Sequence, residues 1–183
     1  VTKNSANPIV EQPKMEGHIF YFSENQQKYI ENAASFIVSG IERGGCVLLI
    51  ENDKITAVLL KRIARTLTKE QLKKVLSVNN YDYYYYSRGA FDTPSIVSYF
   101  SKLMQPYVEL NLPIFTWAHI EWNDEQEITS KIISFEKGAN NVVTSMKLLS
   151  ICAYNADRLT LSMKESLMEH HDAMMTDDGL VNV

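Results

Sequence analysis

The chain has 183 residues, a formal net charge of −4, 45% apolar residues and 22% charged residues. That length and balance suit one folded domain with a sizeable core. The acidic excess argues against a broad face that grips nucleic acid or an anionic membrane, so neither is expected as a direct partner.

Residues 1–16, with Asn4, Ser5, Pro8 and Pro13, read as a flexible N-terminal arm, and residues 17–183 as a single domain. His18 to Phe22 is a short aromatic and β-branched run, which predicts a strand. Ser23 is placed to cap the next helix, with Gln26 closing a capping box. Tyr29, Ala33, Phe36, Ile37 and Ile41 then recur at helical spacing, and Gly44 and Gly45 stop that helix. Cys46 to Ile50 is an unbroken apolar run, the mark of a strand buried on both faces.

Asp53 is a cap candidate for a helix through Ile63. Thr68 to Gln71 has capping-box form and predicts a further helical piece, with Leu72, Val75 and Leu76 as its edge, ending near Asn79 and Asn80. Tyr81 to Tyr86 holds five of the ten tyrosines and reads as a strand. Asp92 or Thr93 caps a helix that opens with Pro94, and Pro106 should kink or end it. Ile114 to Ala118 is the next strand, with His119, Glu121 and Trp122 at its carboxyl end. Ile128 to Met146 is helical and carries Glu136 and Asn140 four apart on a mostly apolar face. Leu148 to Tyr154 is a buried strand, Asn155 or Asp157 caps a last helix ending at His170 and His171, and Leu180 to Asn182 returns as an edge strand.

Strands alternating with helices at this spacing give an α/β fold: three layers, a mainly parallel sheet with helices on both faces. Ligands of such sheets sit beyond the carboxyl ends of the strands. Glu51, Asn52, Arg88, His119, Glu121 and Asn155 are therefore the candidate site residues, with Glu136 and Asn140 facing in from a helix. Carboxylates, a histidine and an arginine can do acid–base work, and they can equally orient a small molecule in a pocket. No GxxxxGK[ST], GxGxxG or GxSxG motif occurs, so nucleotide and serine hydrolase chemistry have no support, and no enzyme is expected.

Both cysteines, Cys46 and Cys152, sit in apolar runs, which suits buried thiols in a reducing cytoplasm. No Cys or His spacing matches a metal motif, so neither metal nor cofactor is expected. His18 and His170 read as structural histidines, and Cys152 as a redox or ligand-contact candidate.

Several of these segments carry a resemblance. They are Gly17 to Phe22, the helix ending Ser39 to Gly45, Gly89 to Asp92, Glu121-Trp122, Glu136 to Asn140, Ile151 to Asn155, and His170. In order and spacing they resemble the MEDS domain, the sensory domain of methanogens, methylotrophs and the dichloromethane-responsive repressor, over about residues 17–182. The resemblance implies a RecA/KaiC-like fold without the phosphate-binding loop. It implies a regulatory role: binding a small, hydrocarbon-like molecule and signalling to a protein partner such as a histidine kinase or a transcription regulator. A ligand-free interaction module is the alternative, a degenerate ATPase the minor one, and a homodimer a further option.

The family residues fall at His18, Glu121, Trp122, Glu136, Asn140, Cys152, Tyr154 and His170. With Glu51, Asn52 and Arg88, they make Glu121, Trp122, Glu136, Asn140 and Tyr154 the expected ligand-binding set, while His18, Cys152 and His170 have no assigned role. Asn155 stands where the family usually has an acidic residue, and His171 where it commonly has proline.

Overall fold

The structure is a computed structural model describing residues 16–86, 89–124 and 126–181. The expected N-terminal arm, but for Glu16, lies outside these residues. The chain runs β1 (Gly17–Ser23), α1 (Gln26–Glu42), β2 (Cys46–Glu51), α2 (Asp53–Ile63), α3 (Lys69–Leu72), β3 (Val75–Asn79) and α4 (Asn80–Tyr84). It continues α5 (Thr93–Glu109), β4 (Ile114–His119), α6 (Ile128–Met146), β5 (Leu149–Asn155), α7 (Leu161–Met168), β6 (Ala173–Thr176) and β7 (Gly179–Val181).

The strands form one sheet in the order β3-β2-β4-β5-β1-β6-β7. Every pairing is parallel except that of β6 with β7, which close as an antiparallel edge. The central strands β2 and β4 are buried at every position, as continuous apolar runs covered on both faces must be. Alternation sorts their side chains into two cores. Tyr21, Val47, Leu49, Phe115 and Trp117 face α1 and α2, while Phe20, Leu48, Ile50, Cys152 and Tyr154 face α4 to α7.

Two glycines before β2 have separate reasons. Gly44 holds a positive φ of 83° at the turn out of α1. Gly45 is needed for space, since a Cβ there would come within 2.6 Å of the Pro113 carbonyl oxygen.

The structure corrects the sequence reading at several places. The tyrosine run is not a strand: Asn79 accepts a hydrogen bond from the Asp82 N–H and caps the short helix α4, so capping prevails over the strand preference of tyrosine. The strand lies just before it, at Val75–Asn79, which the reading took as helix; its valines pair in parallel with β2. Asn25 caps α1 in place of Ser23, whose hydroxyl is engaged by Asp177. Asn52 caps α2 in place of Asp53, and Thr160 caps α7 in place of Asn155 or Asp157. Pro106 does not end α5, which continues to Glu109.

Candidate functional site

Two polar clusters lie on opposite faces of the sheet. The first stands at the carboxyl ends of β2 and β4. Glu51 ends β2 with its side chain fully buried on the α1 face. The Tyr29 hydroxyl donates to its Oε2 at 2.5 Å, and Trp117 Nε1 donates to the Tyr29 oxygen at 2.8 Å. The Asn52 backbone and side-chain amides donate to Glu51 Oε1 at 2.7 and 2.9 Å. His119 Nδ1 lies 2.8 Å from the same oxygen. A buried carboxylate is tolerable only when its lone pairs are met in this way.

That contact fixes Nδ1 of His119 as the protonated nitrogen facing Glu51. Its Nε2, although buried, has no hydrogen-bond partner among the described residues and is 3.9 Å from Glu121 Oε1. Burial works to lower the His119 pKa, but the hydrogen bond and charge of Glu51, with Glu121 adding, hold it above the ordinary imidazole value. The ring borders an open cleft of about 730 Å³, lined also by Tyr29, Asn52, Ile55, Glu121, Asn155 and Asp157.

The sign of the His119 shift gives a pH dependence. A raised folded-state pKa means stabilisation that is full below about pH 6.5 and lost as pH rises through the folded value. The stability gap between wild type and His119→Gln should therefore shrink as pH rises above about 6.5 in urea titrations. A gap that stays constant from acid to alkaline pH would contradict the pairing.

The second cluster lies on the α6 face, wholly inside the protein. His18 of β1, Glu136 of α6, Cys152 of β5 and His171 after α7 bring one ligand atom each within 4.8 Å of one another. Tyr154 donates a short hydrogen bond to Glu136 Oε1. The two imidazole rings stack with centroids 3.9 Å apart. Burial opposes the charge on Glu136, but His171, His18 and Tyr154 outweigh it and bring the acid down to about 2. Burial pushes His171 down to about 4, against the opposing pull of the Glu136 charge. Burial and the Glu136 charge raise the Cys152 thiol well above its usual value.

The expected site residues thus divide. Glu51, Asn52, His119, Glu121 and Asn155 do gather at the strand ends. Glu136 and Tyr154 do not join them; they are on the other face with His18 and Cys152, because their positions on α6 and β5 alternate toward the second core. His18 is no solitary structural histidine, and His171, not His170, turns its ring into the cluster; His170 contributes only its carbonyl oxygen. Asn140 is half-buried one turn from Glu136 and does not line the cleft. Trp122 packs on Tyr154, and the Arg158 guanidinium lies 4.9 Å from its ring centre. Arg88 lies outside the described residues. Tyr29 and Trp117 were missed as polar partners, although Trp117 and His119, two apart on one strand, must share a face.

A third feature bears on the turn from β1 to α1. The Asp177 carboxylate, from the β6–β7 turn, accepts hydrogen bonds from the Glu24 and Asn25 N–H groups, each at 2.8 Å. It also accepts from the Tyr21 hydroxyl at 2.6 Å and the Ser23 hydroxyl at 3.0 Å. An anion from the chain itself therefore occupies the N–H groups at the mouth of α1.

Comparison with solved structures finds the "ATPase Domain of G40P", with a TM-score of 0.61 and 9% identity, covering 89% of this chain and 69% of that one. At that identity the likeness establishes a RecA-like α/β fold and nothing of activity. No curated protein sequence matches the chain significantly. The sequence profile of MEDS, the "MEthanogen/methylotroph, DcmR Sensory domain", matches residues 17–172. With the profile spanning nearly all the secondary structure, the chain belongs to the MEDS family of sensory domains.

Proposed function

We propose that the chain is a non-catalytic sensory domain that binds a small molecule in the cleft at the strand ends and passes its occupancy to a protein partner. The observation that carries this reading is His119 Nε2: buried, bordering the cleft and unpartnered, with its ring held in place by Glu51. Such an atom is completed by a hydrogen-bonding group on a ligand. Glu121, Asn52 and Asn155 add polar groups around Ile55 and Phe22, a lining suited to a small molecule with one apolar and one polar end.

Glu121 also supplies a route outward. Its carboxylate accepts from Asn80 Nδ2 at 3.1 Å, at the start of α4. It also borders a second, shallower hollow with Tyr81, Tyr85, Trp122 and Arg158. Tyr81 and Tyr86 are 53% and 57% exposed, so α4 and the turn after it offer an aromatic surface beside the cleft. Tyrosine, tryptophan and arginine are the residues enriched where proteins bind one another. A ligand that draws on Glu121 would disturb Asn80 and that surface together. It shifts the partner-binding state only by as much as it favours one arrangement over the other.

The same tyrosine surface favours the second reading, a ligand-free interaction module. Thermal-shift screening of small metabolites separates the two. The sensory reading expects at least one compound to raise Tm in wild type and to lose most of that effect in Glu121→Ala. If no metabolite pool moves Tm while apo protein captures a partner regardless of Glu121, the interaction module stands instead. The non-catalytic reading is supported by the lack of a phosphate loop and by Asp177 on the N–H groups of the turn before α1. ATP hydrolysis that is lost in Glu121→Gln would overturn it.

A further inference from the structure

The buried cluster of His18, Glu136, Cys152 and His171 is not part of the cleft, and its hydrogen bonds do not close. His18 Nδ1 lies 3.2 Å from the His170 carbonyl oxygen, and His171 Nδ1 2.7 Å from the Leu167 carbonyl oxygen. A carbonyl can only accept, so Nδ1 of each ring is protonated. Both Nε2 atoms then face inward. The Cys152 thiol can donate to His18 Nε2, 3.2 Å away. Tyr154 supplies Glu136 Oε1. That leaves His171 Nε2 and Glu136 Oε2 facing each other at 3.5 Å, both without a partner and with side chains 1% and 0% exposed. Glu136 Oε2 is also 3.3 Å from His18 Nε2, so it faces both ring nitrogens without a hydrogen bond to either.

We propose that these four side chains bind a zinc ion, through Nε2 of His18 and His171, Oε2 of Glu136 and Sγ of Cys152. All four ligand atoms lie within 4.8 Å of one another, and three of their six separations are close to those of a tetrahedral site. Zinc bonds of about 2.0–2.3 Å give ligand–ligand separations of roughly 3.3–3.8 Å. The observed separations are 3.3 Å for His18 to Glu136, 3.5 Å for His171 to Glu136 and 3.2 Å for His18 to Cys152. Both histidines already have the supporting contact common to zinc ligands, the other ring nitrogen donating to a backbone carbonyl.

Charge argues in the same direction. Without metal, Glu136 is a fully buried carboxylate set against two imidazole rings with no hydrogen bond to Oε2. With Zn²⁺ bound, the Cys152 thiol gives its proton to solvent and binds as thiolate. Two positive charges then meet one thiolate and one carboxylate, and the site is neutral. Nitrogen, oxygen and sulfur donors together suit a borderline ion such as Zn²⁺ and not Mg²⁺ or Ca²⁺. Four protein ligands in a buried site leave no open position, the arrangement of a structural zinc. It would fasten the segment after α7, and with it β6 and β7, onto β1 and β5.

The test uses the full chain without an affinity tag, stripped with a chelator and titrated with Zn²⁺ and Co²⁺. The expected result is one ion per chain by elemental analysis and a rise in Tm of about 10 °C with Zn²⁺. The Co²⁺ form should show the thiolate charge-transfer band of a tetrahedral site. Cys152→Ser should abolish that band, and Cys46→Ser should leave it intact. Should Cys152→Ser fail to fold, histidine ¹⁵N spectra of wild type decide: Zn²⁺ should move Nε2 of His18 and His171 and leave His119 in place. No uptake, or a band that survives Cys152→Ser and vanishes in Cys46→Ser, would overturn the assignment, as would zinc signals at His119.

Discussion

Glu51→Ala should lower the unfolding free energy by about 3–5 kcal/mol, the usual cost of removing one partner of a buried ion pair. The loss would be this large because Glu51 serves several donors at once. His119 Nδ1, the Tyr29 hydroxyl and the Asn52 amides all converge on its two oxygens. Alanine leaves each of them without an acceptor in a place that water reaches poorly. Tyr29 is 5% exposed and links on to Trp117, which is fully buried, so the disturbance reaches the α1 core. Urea denaturation measures it, and a loss under about 1 kcal/mol would show that the network is not coupled.

Asp177→Ala should cost about 2–3 kcal/mol, less than Glu51→Ala because water can reach part of the vacated place. Its carboxylate holds the Glu24 and Asn25 N–H groups and the Tyr21 and Ser23 hydroxyls, and so ties the β6–β7 edge to the start of α1. The adjacent Asp178 makes the contrast. Its side chain pairs with Lys28 at the surface and is 82% exposed, and Asp178→Ala should leave Tm unchanged. Equal effects of the two substitutions in thermal denaturation would mean that Asp177 is no anchor.

Those two aspartates also show where sequence reading stops. A turn at Asp177-Asp178-Gly179 is plain from residue type, but which carboxylate folds back onto a helix mouth 152 residues away is set by the β6–β7 edge. The central sheet was legible because Cys46–Glu51 and Ile114–His119 are continuous apolar runs closed by polar residues. Their ends therefore pointed to Glu51, Asn52, His119 and Glu121 without any coordinates. Val75–Asn79 was not legible, because Leu72, Val75 and Leu76 fit a helical period as well as a strand. The buried cluster escaped for a different reason. Its ligands come from β1, α6, β5 and the turn after α7, so no local spacing announces them. The choice between His170 and His171 depends on how α7 ends, and helix ends are the least certain feature of a sequence pattern.

The central claim is that the cleft at the strand ends, with His119 at its wall, is where this sensory domain meets its small molecule. The chain has four histidines, so histidine-selective ¹⁵N spectra read that wall directly. Titration with fractionated small metabolites should move the His119 Nε2 signal, while His18 and His171 on the other face stay where they are. Metabolite fractions that leave His119 unmoved, or that shift only His18 and His171, would contradict it.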